Sequence, residues 1–192
     1  MEEIFFRALA RSDLPLMHEW LQRPHVRRWW RESRTLEDVE RLYGPTIDGE
    51  EPTQMFVIEV DGRPVGSIQT YLVSDYPEWI GEEPGVAGVD LFIADEELTG
   101  HGLGPRILTE FMRTVVFADP GTTACVAAPD VANAASLRAF EKAGFEPVRK
   151  IDGENGPELL LRAEREIVAR HRPERNRLHL RLSFRNGADG EE

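Results

Sequence analysis

Val89-Asp90-Leu91-Phe92-Ile93, then Gly100-His101-Gly102-Leu103-Gly104, then a helical run beginning at Arg106, decide how this sequence is read. Val89, Leu91 and Ile93 alternate, as one face of a pleated strand does, with Asp90 on the other face. Ile107, Leu108, Phe111, Val115 and Val116 recur at helical spacing, predicting a helix over 106–117. A strand that enters a helix through glycines presents unpaired backbone N–H groups at the positive end of the helix dipole. That is a natural seat for a pyrophosphate. No Gly-Lys-Ser/Thr follows, so the turn is not a Walker loop. The glycine spacing also departs from a dinucleotide fingerprint. Glycines at 100, 102 and 104 alone fit a plain flexible turn equally well.

Upstream, Ile4 to Leu9 reads as a strand. Ser12-Asp13 would cap a helix carrying Leu14, Met17, Trp20 and Leu21, which Pro24 ends. Thr35 and Asp38 form a capping-box pattern for a helix to about Tyr43. Met55 to Val60 and Pro64 to Val73 flank Asp61-Gly62, a hairpin signal, and Val86 to Ala94 is the next strand. Downstream come a strand over 122–127, a helix over 133–143 ended by Gly144, and short strands over 145–151 and 158–162. This order predicts a mixed, mostly antiparallel sheet with helices on both faces. The expected domain is 1–162. Residues 163–192 form an extension in which Leu178, Leu180, Leu182 and Phe184 alternate as in an amphipathic strand, a possible dimer contact. Monomer and homodimer both fit.

The chain of 192 residues carries 35 acidic and 23 basic side chains, a net charge of −12. That balance argues against nucleic acid as a partner and fits a cationic ligand. Eight acidic residues (Asp75, Glu78, Glu82, Glu83, Asp90, Asp95, Glu96 and Glu97) lie between 75 and 97 with no Lys or Arg among them. The single cysteine, Cys125, excludes a disulfide framework, and the histidines show no metal-ligand spacing. No apolar run is long enough for a membrane helix, and no secretory signal is visible, so a cytoplasmic protein is expected.

Asn133, its helix, and the ending Glu141-Lys142-Ala143-Gly144-Phe145 make the reading specific. Together with Gly102 and Gly104 they resemble the GNAT superfamily of acetyl-CoA-dependent N-acyltransferases over about Phe5 to Arg162, which implies the GNAT fold. Within it, Glu19-Trp20-Leu21, Arg23-Pro24-His25-Val26, Trp29-Trp30, Tyr43-Gly44-Pro45, Pro84-Gly85-Val86 and Gly88-Val89-Asp90 are similar to aminoglycoside 6′-N-acetyltransferases. The resemblance implies acetyl-CoA as co-substrate and acetylation of an amine, at the 6′ position, of a polycationic aminosugar antibiotic. Siderophore-pathway lysine N-acyltransferases share Ile93-Ala94-Asp95 and Gly102, Gly104 and Pro105, but tend to have His at the place of Asp90. A non-catalytic acyl-CoA-binding domain is the third reading.

The resemblance also assigns residues. Asp90 becomes the base or amine ligand. Leu91, Ile93, Gly100, Gly102, Leu103, Gly104, Arg106 and Asn133 fall to the cofactor; Arg106 also reads as a solvent-facing side chain and Asn133 as a helix cap. Trp30, Tyr71, Asp75, Trp79, Glu82 and Glu83 join Asp90 on the substrate side, where the alternative for the aromatics is core and for the acids plain surface. Three positions depart from the family pattern: Thr99 replaces Arg or Gln, Ala128 replaces a frequent Asp, and Phe140 replaces a frequent Tyr whose hydroxyl is placed to protonate the leaving thiolate.

Overall fold

The computed structural model describes residues 2–31, 35–81, 83–153 and 155–170. Elements run β1 (Ile4–Ala8), α1 (Leu14–Gln22), α2 (Pro24–Arg27), α3 (Leu36–Asp48), β2 (Gln54–Val60), β3 (Arg63–Leu72), α4 (Pro77–Ile80), β4 (Val86–Ile93), α5 (Leu103–Thr114), β5 (Ala124–Ala127), α6 (Ala134–Lys142), β6 (Glu146–Gly153), β7 (Gly156–Glu164) and α7 (Arg165–Arg170). The strands form one sheet in the order β1-β2-β3-β4-β5-β7-β6, antiparallel except for β4 beside β5. Apolar residues from alternate strand positions feed two main cores. One lies under α5 and α6, with Val89, Ile107, Leu108, Phe111 and Phe140. The other lies under α1 and α3, with Met17, Trp20, Val39, Tyr43 and Phe92. Helices on both faces of a mixed sheet are what the sequence predicts.

Local signals hold where they are self-contained. Asp61 and Gly62 both take positive φ, 50° and 75°, the turn a two-residue hairpin needs. Thr35 and Asp38 cap α3 reciprocally, at 3.1 and 3.2 Å. Two expectations need correction. Asp13 does not cap α1 with its side chain, because its carboxylate is committed to the Arg7 guanidinium at 2.7 and 2.9 Å and to the Ala10 N–H. And α3 passes Tyr43 and continues through Pro45 to Asp48. The residue before the proline is Gly44, which has no Cβ to meet the pyrrolidine ring, so the usual barrier to helix at that position is relaxed.

β7 runs to Glu164, and Val168 of α7 is buried in the core that holds Phe111, so residues 163–170 pack with the domain. Arg165 fastens this end. Its guanidinium donates to the carbonyls of Phe117, Asp119 and Thr122 and lies 5.0 Å over the Phe117 ring. Arg165→Ala leaves three carbonyls without that donor and is expected to cost about 2 kcal/mol, lowering Tm by about 4–8 °C in a thermal melt. The tail strand over 178–184 lies outside the described residues.

Candidate functional site

The parallel pairing of β4 with β5 lasts only three residues, Val86 to Gly88 opposite Ala124 to Val126. Beyond Gly88, β4 is paired only with β3, through Gly66↔Ile93 at its far end. Among the described residues no strand lies beside Val89 to Ile93 on the side away from β3, and an extended ligand could take up the N–H and C=O groups there other than the Ile93 carbonyl, which His25 approaches. The sheet is split along the line where a strand-like chain would fit.

Asp90 stands at this split, on the face opposite Val89 and Leu91. Gln69, its register partner on β3, donates from Nε2 to Asp90 Oδ2 at 3.1 Å. The Tyr71 phenol is a second hydrogen-bonding neighbour. Burial pushes the Asp90 carboxyl up from its ordinary value, and the two hydrogen bonds partly oppose that shift. Burial and then the Asp90 charge push the Tyr71 phenol well up, so it remains a donor. The ring of Tyr71 lies against Gly88, where an added Cβ would come within 2.4 Å of it. Tyr76 and Trp79 pack edge-on against the same ring, with centroids 5.3 and 5.9 Å away.

A cavity of about 750 Å³ opens over Asp90, within the range of sites for small organic ligands. Its lining includes Leu91, Ala127 and Phe140 as well as Trp30, Tyr71 and Trp79, so it passes through the split from one face of the sheet to the other. Six carboxylate residues line it, Glu51, Glu78, Asp90, Asp130, Asp152 and Glu158, against Arg31 as the one basic residue among the described lining. Such a chamber favours cations.

The sequence-predicted residues divide on this geometry. Asp90, Leu91, Trp30, Tyr71, Trp79 and Asn133 line the cavity; Asp75 and Glu83 are exposed outside the lining, and Glu83 pairs with Arg162 at 2.9 Å. Glu82 lies outside the described residues. Gly100 and Gly102 both take left-handed φ, 76° and 84°, at the mouth of α5, and Leu103 is buried behind them. Gly104 packs toward Ala139 of α6. Ile93 flanks the core, and its carbonyl faces His25. Arg106 is held by Glu2, through its carboxylate and carbonyl, both at 2.8 Å. Asn133 caps α6, accepting from the Ser136 N–H at 3.1 Å, while also lining the cavity.

Sequence reasoning missed Gln69, Glu51, Asp130, Asp152 and Glu158. Gln69 had a signal, since it faces the same way as Tyr71 on a strand directly beside Asp90. The acids had none, because they come from separate loops and hairpins.

Residues 10–153 match the family described as the acetyltransferase (GNAT) domain. The chain belongs to that family. The acetyltransferase is 31% identical over 177 residues to aminoglycoside N(6')-acetyltransferase type 1 of Klebsiella pneumoniae, covering 89% of this chain and 88% of that one. It is similar in structure to AAC(6')-Ib solved with coenzyme A and kanamycin, with 30% identity, a TM-score of 0.82, and 89% and 100% of the two chains covered. The same enzyme solved with parmomycin and acetyl-CoA gives 29%, 0.81, 90% and 99%. A lysine N-acyltransferase, MbtK of Mycolicibacterium paratuberculosis, is 26% identical over 72% of this chain and 63% of its own.

In this GNAT acetyltransferase Phe140 is buried, lines the cavity from α6, and packs edge-on against Phe145 with centroids 4.9 Å apart. It brings no hydroxyl to the split. Ser136, one turn earlier on α6, is the hydroxyl that lines the cavity there. Thr99 turns its hydroxyl back to the Glu96 carbonyl at 2.7 Å, so the glycine turn of the acetyltransferase offers backbone N–H groups rather than a cationic side chain. Ala128 and Asp130 both line the cavity, the acid two residues beyond the place where relatives often carry Asp. No described helix is long and apolar enough to cross a membrane.

Proposed function

We propose that the protein transfers the acetyl group of acetyl-CoA to an amine of a polycationic aminoglycoside, the 6′-amine being the expected position. The observation that carries this reading is the coincidence of two features at one place: a strand edge left open at Gly88, and a carboxylate on that strand facing an acid-lined cavity. Family membership supplies acetyl-CoA as the acyl donor.

The pyrophosphate belongs at the mouth of α5, where Gly102 begins the helix and its first N–H groups are unpaired; Pro105 contributes none. The pantetheine arm would lie along the open edge of β4, and a backbone N–H there would receive the oxyanion of the tetrahedral intermediate. Acceptor ammonium groups enter from the acid-lined side. Asp90 pairs with the reacting one and takes its proton, directly or through water, and the freed lone pair attacks the thioester carbonyl. The carbon–sulfur bond then breaks, CoA leaves as thiolate with the bonding pair, and the nitrogen, made cationic by the attack, releases its surplus proton to water. Among the described residues no positioned nucleophile calls for an acyl-enzyme. Asp90, where siderophore-pathway relatives tend to have His, favours the aminoglycoside reading over the lysine one.

A thiol-release assay with acetyl-CoA against kanamycin, N-hydroxylysine and spermidine tests this directly. Turnover with kanamycin and little with the others is expected; turnover confined to N-hydroxylysine or spermidine would sink the assignment. With Phe140 apolar, the thiolate takes its proton from water or from a hydroxyl such as that of Ser136. Phe140→Tyr is accordingly expected to raise kcat by up to about tenfold or leave it unchanged in the same assay, and a large fall would show that the apolar ring itself is required.

A further inference from the structure

Once β4 loses β5 at Gly88, its far end keeps β3 as its strand partner among the described residues, and one short segment holds it at three further points. His25 Nε2 lies 3.1 Å from the Ile93 carbonyl oxygen, and Arg23 Nη1 donates to the Ala94 carbonyl at 2.8 Å. Trp30 packs edge-on against Phe92, with centroids 5.0 Å apart. Because a carbonyl only accepts, Nε2 carries a proton in this contact. Nδ1 is buried without a hydrogen-bond partner among the described residues, and the Glu96 carboxylate 3.8 Å away is itself an acceptor toward a neutral ring. In either the neutral or the protonated ring, Nε2–H remains directed at Ile93. The same segment ends in Trp29, Trp30 and Arg31, which line the cavity.

We propose that His25 is a positioning residue for acyl transfer: it fixes the free end of β4 and ties that end to the segment carrying Trp29 and Trp30, so that the thioester strand and the acceptor wall hold one registry. This rests on the reading that the open edge of β4 receives the acyl donor. Loss of the Nε2 donor leaves the Ile93 carbonyl without its side-chain partner and frees two walls to shift independently, which affects both substrates at once.

The test compares three variants in the full chain, by calorimetric affinity for acetyl-CoA, by kcat and KM with kanamycin, and by Tm. His25→Phe keeps a ring and removes the donor. His25→Gln places an amide N–H near the Nε2 position, whereas His25→Asn reaches only as far as Nδ1. His25→Phe and His25→Asn are expected to weaken acetyl-CoA binding and raise the kanamycin KM about fivefold each, and to lower kcat by a similar factor. His25→Gln should restore all three to within about twofold of wild type. Wild-type constants in His25→Phe, or equal defects in Gln and Asn at matched Tm, would overturn the proposal. If His25→Phe does not fold, the Gln and Asn pair decides. If the wild type binds acetyl-CoA but acetylates no amine, the functional reading fails, and His25 is judged on acetyl-CoA affinity alone.

Discussion

Asp90→Asn is expected to lower kcat/KM with kanamycin by about 10²–10³-fold while leaving acetyl-CoA affinity within about twofold of wild type. The amide keeps the shape of the carboxylate but cannot accept the proton of an ammonium, so the acceptor stays unreactive. In the proposed function the acyl donor lies on backbone groups and does not need the charge. The pH dependence follows from the direction of the shift. Burial raises the Asp90 carboxyl, so the base form is lost at a higher pH than for an ordinary carboxylate. The acid limb of kcat/KM should therefore begin above the usual carboxylate range, and Asp90→Asn should abolish that limb. Stability should move the other way. A carboxyl raised in the folded state binds its proton more tightly there than in the unfolded chain. Folding is thus penalised above the raised pKa and relieved as pH falls through it. At neutral pH the Asn variant should melt at the same temperature as wild type or about 2 °C higher, a gain that disappears in acid. Unchanged turnover would remove Asp90 from the reaction.

Gly88→Val is the second large effect. The added Cβ falls 2.4 Å from two atoms of the Tyr71 ring and 2.8 Å from its hydroxyl oxygen. No real Cβ sits that close, so the ring must swing off the strand. The moving part is the far end of a side chain, and the loss of stability should stay at about 1–3 kcal/mol. Activity should suffer more, because displacing Tyr71 removes a hydrogen-bonding neighbour of Asp90 and the ring against which Tyr76 and Trp79 pack. A fall of about 10²-fold in kcat/KM, carried mostly by the acceptor KM, is the expected outcome of steady-state kinetics. Tyr71→Phe separates the two causes, since it keeps the ring and loses only the hydroxyl. It should cost far less than Gly88→Val if the aromatic wall dominates.

Much of the fold was legible because its signals are local. Alternation around Asp90, the Asp61-Gly62 turn and the Thr35 cap each need only a few neighbouring residues to specify them. What escaped depends on partners distant in sequence. Asp13 is the exception, since Arg7 and the Ala10 N–H that claim its carboxylate lie only six and three residues before it. The cavity makes the main point about function. The acidic run from 75 to 97 stands out in a sequence whose charge fits a cationic ligand, yet among its described residues only Glu78 and Asp90 face the cavity. Asp95 instead lies 3.4 Å from the Arg63 guanidinium and caps the turn at Glu97, and Glu83 goes to Arg162. The remaining acids of the chamber, Glu51, Asp130, Asp152 and Glu158, arrive from segments that only the folded sheet brings together. Asp90 itself was found from its family pattern. Its neighbour Gln69 shares a strand face with Tyr71, but its place opposite Asp90 becomes apparent only when the β3–β4 register is known.

In the proposed function this cavity brings an aminoglycoside amine to a thioester lying on the open edge of β4. Mass spectrometry of kanamycin after incubation with the protein and acetyl-CoA, matched to the thiol released, tests it most directly. Kanamycin is expected to return heavier by a single acetyl group, at the 6′-nitrogen by fragmentation, in one-to-one proportion to free CoA, with the signal lost in Asp90→Asn. Acetyl-CoA that binds tightly while kanamycin returns unmodified would contradict it.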